Sequence, residues 1–303
     1  MHEPTFKSVA VIGTGVIGRS WIRVFARAGC ETRGFDPDDE RLARAFEGTP
    51  PSARACATLD EALAGAEWVQ ESGPEALATK RSLYAELDAT APPTAILASS
   101  TSTHDMSRIA EGLDGASRCI VAHPVNPPHV VPVVEVLPGE RTDPETVAAA
   151  LAFMTSVGQS PVEMNHYLPG FLLNRMQAAL VREAVFLIGS GAATADAIDT
   201  VIRDGLGLRW ALMGPFGTAH TNADGGAGDY LERYGDAYRA LWADLEADPD
   251  FDASVIEQVH DGMVDLYGPD STAALSEWRD RSVRRIRDMK KEDPPPTRAE
   301  AAR

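Results

Sequence analysis

Val9-Ala10-Val11-Ile12-Gly13-Thr14-Gly15-Val16-Ile17-Gly18 decides the fold of the N-terminal half. An apolar strand runs into the glycines and an apolar helix, Trp21 to Ala28, runs out of them. A second short strand then ends at Phe35-Asp36, with Asp36 placed 18 residues beyond Gly18. Glycines also serve ordinary turns, but strand, helix and spaced acid together make the G-x-G-x-x-G dinucleotide fingerprint. Gly13 permits the tight turn, Gly15 lets backbone approach a diphosphate, and Gly18 lets the helix pack closely on the strand. The helix N-terminus offers unpaired N–H groups to phosphates. Asp36 is placed to accept a hydrogen bond from a ribose 2′-hydroxyl. Its charge opposes a 2′-phosphate, so the expected cofactor is NAD rather than NADP.

Working outward, apolar runs alternate with helical patterns as far as residue 165. Strands are expected at Val9–Ile12, Glu31–Phe35, Trp68–Glu71, Ala95–Ala98, Cys119–Ala122, Val131–Val136 and Pro161–Met164. Helices are expected from Pro74 to Leu87 and from Pro144 to Val157. This alternation predicts an α/β, Rossmann-type doubly wound sheet that is mainly parallel. After Pro169-Gly170 the pattern turns helical, opening with an amphipathic stretch from Phe171 to Ile188. The predicted organisation is a NAD-binding domain over residues 1–166 and an all-helical substrate and dimerisation domain over 167–303. From Lys290-Lys291-Glu292-Asp293-Pro294 onward the chain reads as a polar, mobile tail.

The 303 residues suffice for two domains, and 44% hydrophobic with 24% charged residues is ordinary for a globular protein. No apolar run reaches the length of a membrane span, and Met1-His2-Glu3-Pro4 does not open a signal peptide. Cys30, Cys56 and Cys119 are scattered and odd in number, which points to a reducing cytoplasm rather than a disulfide framework. No clustered Cys/His pattern suggests a metal. The net charge of −17 argues against nucleic acid and anionic membranes as partners. An anionic substrate would then need a local cation to hold it.

Four further segments carry polar groups where chemistry is expected. Ser99-Ser100-Thr101-Ser102-Thr103 follows the fourth strand, and ligands of open α/β sheets bind beyond the carboxyl ends of strands. Its bland reading is a helix cap made by Ser102 or Thr103. Val121-Ala122-His123-Pro124-Val125-Asn126-Pro127-Pro128 puts a histidine at the end of a buried strand. Val133-Val134-Glu135-Val136 puts a carboxylate inside an apolar strand, where it needs a partner. Gly170-Phe171-Leu172-Leu173-Asn174-Arg175 opens the helix that joins the domains. Taken singly, His123 reads as structural, Glu135 as a buried ion pair and Asn174 as a helix-end hydrogen bond.

Together these motifs resemble the L-3-hydroxyacyl-CoA dehydrogenase superfamily, nearest its lambda-crystallin/L-gulonate 3-dehydrogenase branch. The resemblance extends through Gly205-Leu206-Gly207-Leu208-Arg209-Trp210 and Ala219-His220-Thr221-Asn222-Ala223-Asp224-Gly225, covering positions 11 to about 225. It implies a catalytic pair, His123 as base and Glu135 as its partner. It implies that Ser102 and Asn174 orient the substrate oxygen. Val16 and Ile17, through their backbone, and Glu75 and Lys80 match cofactor-site positions. An imidazole titrating near neutrality suits removal of an alcohol proton during hydride transfer. His2, His104, His129, His166 and His260 carry no such support and read as surface or loop residues; His220 is left open. The family also implies a homodimer.

Two departures from the acyl-CoA members point to a small free acid. Those enzymes carry a long helical hairpin after the second strand, whereas here Asp36 to Glu71 spans only 35 residues, with Gly48-Thr49-Pro50-Pro51-Ser52 loop-like. Arg209 stands where the CoA-using enzymes have no arginine, and arginine grips a carboxylate with two parallel hydrogen bonds. Its bland reading is a surface or interdomain ion pair. The expected reaction is NAD-dependent oxidation of the 3-hydroxyl of a gulonate-like acid. L-Carnitine and 3-hydroxyacyl-CoA are alternative substrates. A non-catalytic NAD-binding structural protein is the alternative of another class, opposed by the intact serine, histidine, glutamate and asparagine.

Overall fold

The computed structural model describes residues 3–245, 248–249 and 251–296. His2 and the tail from residue 297 onward lie outside the described residues. Two compact units emerge, Met1–Arg175 and Met176–Arg303.

In the first unit, β1 (Ser8–Ile12), α1 (Val16–Ala28) and β2 (Glu31–Phe35) form the opening βαβ turn. They are followed by α2 (Asp39–Ala45), β3 (Ala53–Ala55), α3 (Leu59–Leu63), β4 (Trp68–Glu71), α4 (Leu77–Thr90) and β5 (Ile96–Ser99). Then come α5 (Met106–Ile109), β6 (Cys119–Pro124), β7 (Val133–Pro138), α6 (Pro144–Ser156) and β8 (Ser160–Glu163). The strands make one eight-stranded sheet in the order β3-β2-β1-β4-β5-β6-β7-β8. Every pairing is parallel except β6 with β7.

Alternate residues of each strand feed opposite faces of the sheet. Ala10 and Ile12 of β1 join Val69, Leu97 and Val121 under α3, α4 and α5. Val9 and Val11 join Trp68, Ile120 and Val136 under α1 and α6. On that face Trp21 stacks on Phe25 at 5.1 Å between ring centres, and Phe153 packs on Phe25 and Trp68. A helix on each face is what buries continuous apolar strands such as Val9–Ile12 of β1. The helix α1 ends at Gly29, whose φ of +95° and backbone N–H close the last turn.

The strand β3 is a correction to the sequence reading. Its Ala-Arg-Ala has no β-branched residue, and it forms by lying parallel on β2, Thr32 opposite Ala53. The Asp36–Glu71 interval holds only α2, β3 and α3, with no long helical hairpin.

Helix α7 (Leu173–Gly189) starts within the first unit, and the rest of the second unit holds α8 (Ala195–Thr200), α9 (Gly207–Thr221), α10 (Gly226–Asp244), α11 (Ala253–Tyr267) and α12 (Thr272–Glu292). No strand occurs among its described residues. A π-helical segment, Val201–Leu206, joins α8 to α9. Gly207 permits it, since a Cβ there would sit 2.6 Å from the carbonyl oxygen of Ile202. Gly214, at φ +69°, and Pro215 break α9. Val185, Ile188, Ala195 and Val255 form the buried core of α7, α8 and α11. The helix α12 includes Lys290, Lys291 and Glu292, so the polar tail begins later than the sequence suggests. Two lysines in the last turn suit the negative end of a helix.

Candidate active site

The single antiparallel step in the sheet builds the centre of the site. Because β7 returns beside β6, His123 and Glu135 become directly opposed residues of one ladder, their side chains on the same face. His123 Nδ1 lies 2.7 Å from Glu135 Oε2, both groups buried. The other oxygen, Oε1, accepts the backbone N–H groups of Leu172 at 2.7 Å and Leu173 at 2.9 Å. These amides open α7, so one carboxylate orients the imidazole and satisfies a helix N-terminus. Burial pushes the Glu135 carboxyl up. The hydrogen bond with His123 and the two amides outweigh it and hold the group below the ordinary glutamate range. With Glu135 ionised, Nδ1 carries the proton and Nε2 keeps its lone pair.

Phe171 fixes the other side of the imidazole. Its ring is fully buried and meets His123 edge-on at 5.4 Å between centres. Its φ of +51° is left-handed, uncommon for a non-glycine residue, and turns the chain so that the next two amides reach Glu135. Asn174 follows those amides directly, half-buried in the first turn of α7.

At the end of β5, Ser102 does not cap α5. That role falls to Asp105, whose side chain accepts the Ser107 N–H at 2.9 Å. The Ser102 backbone N–H and hydroxyl both turn to Glu75 Oε1, at 2.7 and 3.2 Å. Thr101 and Thr103 hydroxyls donate to the same oxygen. Burial raises the Glu75 carboxyl, but Thr101, Lys80 and the Ser102 amide together hold it at about 2. Lys80 is almost wholly buried, its ammonium 2.9 Å from Glu71 Oε1 and 3.3 Å from Glu75 Oε2. Glu71 also accepts from Ser99 at 2.6 Å and from the Gly73 N–H at 2.6 Å. Lys80 therefore supports Glu75 from beneath, and Glu75 shapes the hydroxyl loop. Sequence reading missed Glu71, whose signal was a carboxylate at the end of a buried strand, and left Thr101 and Thr103 without separate roles within the hydroxyl stretch. It also set His104 aside, yet His104 Nε2 lies 2.6 Å from the Glu75 carbonyl oxygen.

The glycine turn fits a dinucleotide. Gly13 has φ +86°, and a Cβ there would sit 2.7 Å from the Ser72 carbonyl oxygen. A Cβ on Gly18 would lie 1.8 Å from the Gly13 oxygen. A Cβ on Gly15 would meet nothing within 4 Å: the space beside it is open for a ligand. Gly15 is the N-cap of α1 without side-chain capping, leaving the Val16, Ile17 and Gly18 amides to phosphates. A cavity of about 1000 Å³ runs past Gly13, Gly15, Phe35, Asp36, Leu59 and Pro74. Asp36 borders it and braces the turn as well, its Oδ2 accepting the Thr14 N–H at 2.7 Å. Its Oδ1 accepts one amide, from Asp38, and retains a lone pair for a ribose hydroxyl.

Arg209, in the first turn of α9, is exposed, and among the described residues its side chain has no hydrogen bond or ion pair. His220 accepts the Ala227 N–H at 3.2 Å and so steadies the start of α10. His166 and His260 are exposed. All three cysteines are free and buried, with burial pushing Cys30 and Cys119 up to about 12. Among the described residues no His/Cys/Asp/Glu cluster could hold a metal, and no helix is long and apolar enough to cross a membrane.

This arrangement matches known proteins along nearly its whole length. Residues 8–54 and 51–167 match the NAD-binding domain of 3-hydroxyacyl-CoA dehydrogenase, and residues 170–251 match its C-terminal domain. Rabbit (Oryctolagus cuniculus) lambda-crystallin is 33% identical over 97% of this chain and 100% of its own length. The L-carnitine dehydrogenase of Streptomyces coelicolor is 39% identical over 91% of this chain and 92% of its own. Among solved structures, an NAD+-dependent 5-formyl-3-hydroxy-2-methylpyridine 4-carboxylic acid 5-dehydrogenase aligns with a TM-score of 0.82 at 26% identity. The alignment covers 95% of this chain and 99% of that one. The 3-hydroxyacyl-CoA dehydrogenase of Archaeoglobus fulgidus aligns at 0.67 with 28% identity, over 93% and 97%. The chain belongs to the 3-hydroxyacyl-CoA dehydrogenase family.

Proposed function

We propose that this family member oxidises the 3-hydroxyl of a small free hydroxy acid, L-gulonate-like, to the 3-keto acid. The observation that carries the reading is the His123–Glu135 pair, at the same carboxyl edge of the sheet as the glycine turn. Asp36 and the amides of Val16 and Ile17 would hold NAD in the groove, and the bound nicotinamide would supply the hydride acceptor. His123 Nε2 removes the hydroxyl proton. Glu135 keeps the imidazole in the required tautomer and stabilises the imidazolium that forms. Asn174 donates to the oxygen as it becomes a carbonyl, Ser102 does so by turning its one hydroxyl proton from Glu75 to the substrate, and Glu75 with Lys80 holds the Ser102 loop in shape through the Ser102 amide and its neighbours.

A free acid, rather than a thioester, is supported by the absence of a long hairpin between Asp36 and Glu71 and by the unpaired guanidinium of Arg209. In this account Arg209 grips the carboxylate. An Arg209→Ala variant tests it: KM for the acid rises at least tenfold, about 1.4 kcal/mol, with NAD affinity unchanged. An unchanged KM contradicts that role. L-Carnitine is the second reading, favoured by the 39% identity to a carnitine dehydrogenase. Trp210, half-buried beside Arg209, offers an aromatic face to a quaternary ammonium. Comparing kcat/KM for L-gulonate and L-carnitine separates the two.

The helical unit supports a homodimer. Its buried core is small, while Phe216, Trp242 and Trp278 are 73%, 63% and 57% exposed. Large apolar side chains exposed on one unit support an association face there.

A further inference from the structure

His123 and Ser102 rest on separate supports, yet the reaction needs them at one oxygen. His123 is held by Glu135 across β6 and β7. Ser102 is held by Glu75, whose Oε1 accepts the Ser102 amide and the hydroxyls of Thr101, Ser102 and Thr103. A base and a donor that share one substrate oxygen must each come within about 2.6–3.2 Å of it. A misplacement of about 1 Å is costly in rate. The spacing between the two supports therefore has to be fixed as well.

Tyr167 spans that gap from the turn between β8 and α7. Its phenol hydroxyl donates to the Thr103 carbonyl oxygen at 2.9 Å. Among the described residues this is the one hydrogen bond between residues 101–104 and the turn over residues 164–172. The Tyr167 ring meets Phe171 edge-on at 6.2 Å between centres, and Phe171 meets His123 edge-on at 5.4 Å. Tyr167 is partly buried against the core cluster that contains Phe171 and Val121, so its ring has a defined seat. One side chain thus leans on the ring that packs against the base and grips the residue next to Ser102.

We propose that Tyr167 is a positioning residue for the dehydrogenase reaction. Through the Thr103 carbonyl it holds the Ser102 loop at the distance from His123 at which both reach one substrate oxygen. The inference rests on the dehydrogenase reading, in which those two groups share that oxygen. The bond matters most once substrate is bound. Ser102 then turns its hydroxyl away from Glu75, which keeps the Ser102 amide at 2.7 Å, and Tyr167 keeps the Thr103 peptide from following the hydroxyl. In this role Tyr167 acts on the rate and leaves cofactor affinity alone.

Initial rates of NADH formation with the whole chain test the inference. The substrate is whichever of L-gulonate, L-carnitine, L-3-hydroxybutyrate and L-3-hydroxybutyryl-CoA the wild type turns over fastest. Wild type, Tyr167→Phe, Ser102→Ala and the double variant are compared. Tyr167→Phe keeps the ring contact with Phe171 and loses only the hydroxyl. It is expected to lower kcat by about tenfold, with KM for NAD and the melting temperature unchanged. In the Ser102→Ala background the same change is expected to cost no more than about twofold, because the group it positions is gone. A merely structural bond would cost the same in both backgrounds and lower the melting temperature, and that result overturns the proposal. So does a Tyr167→Phe kcat within about twofold of wild type. A wild type that turns over none of the four compounds overturns the dehydrogenase reading and this inference with it.

Discussion

Glu135 is asked to do three things at once: orient His123, stabilise its charged form and satisfy the amides of Leu172 and Leu173. Glu135→Gln keeps the shape and removes the charge. The expected outcome is a fall in kcat of ~10²-fold or more with NAD affinity unchanged, because the pair lies outside the dinucleotide groove. The pH dependence of stability follows from the lowered carboxyl. A group held below its ordinary value stabilises the fold above that ordinary value and loses the contribution as pH falls through the folded value. Thermal melts of wild type and Glu135→Gln therefore differ most at neutral pH and converge in acid. A difference that grows in acid contradicts the assignment. His123 and Glu135 were each legible as residues in need of explanation. Their pairing was legible through resemblance, and its physical cause, the antiparallel register, came only with the structure.

Among the elements, the glycine turn makes a distinction between two kinds of glycine. Gly18 is needed for packing, since a Cβ there overlaps the Gly13 carbonyl. Gly15 is needed for the ligand, since a Cβ there meets only open space. Gly18→Ala is expected to lower the melting temperature, whereas Gly15→Ala leaves it within a degree or two and weakens NAD by about tenfold or more. Melting curves and a titration separate the two; equal destabilisation of both variants contradicts the geometry. Most strands were read from short apolar stretches, as suits parallel strands covered on both faces. β3 escaped that reading because three residues without a β-branch carry no periodic signal, and its existence depends on the edge of β2. The cap of α5 was misplaced for a similar reason. Five hydroxyls precede it, and only the position of Glu75 shows that Ser102 and Thr103 are engaged elsewhere. The π-helical turn before Arg209 has no sequence signature beyond Gly205 and Gly207.

For the whole molecule, the order of a sheet unit followed by a helical unit was plain from the change in periodicity after Pro169-Gly170. What sequence left open was how little of the helical unit is buried within itself. The described residues of α12 include none that are buried, and α10 presents Leu241 and Trp242 to its surroundings. Light scattering is expected to report twice the 32.4 kDa chain mass, and Trp242→Asp to shift it towards one chain. A wild-type protein that runs as a single chain contradicts the homodimer. The central claim, that NAD oxidises a small free acid here with the His123–Glu135 pair as base, is tested most directly by initial rates of NADH formation. The matched panel is L-gulonate, L-carnitine, L-3-hydroxybutyrate and L-3-hydroxybutyryl-CoA, run with wild type and His123→Asn. The account predicts turnover of a free acid, little or none of the thioester, and loss of the free-acid turnover with His123→Asn. Preference for the thioester, or undiminished turnover without His123, would contradict it.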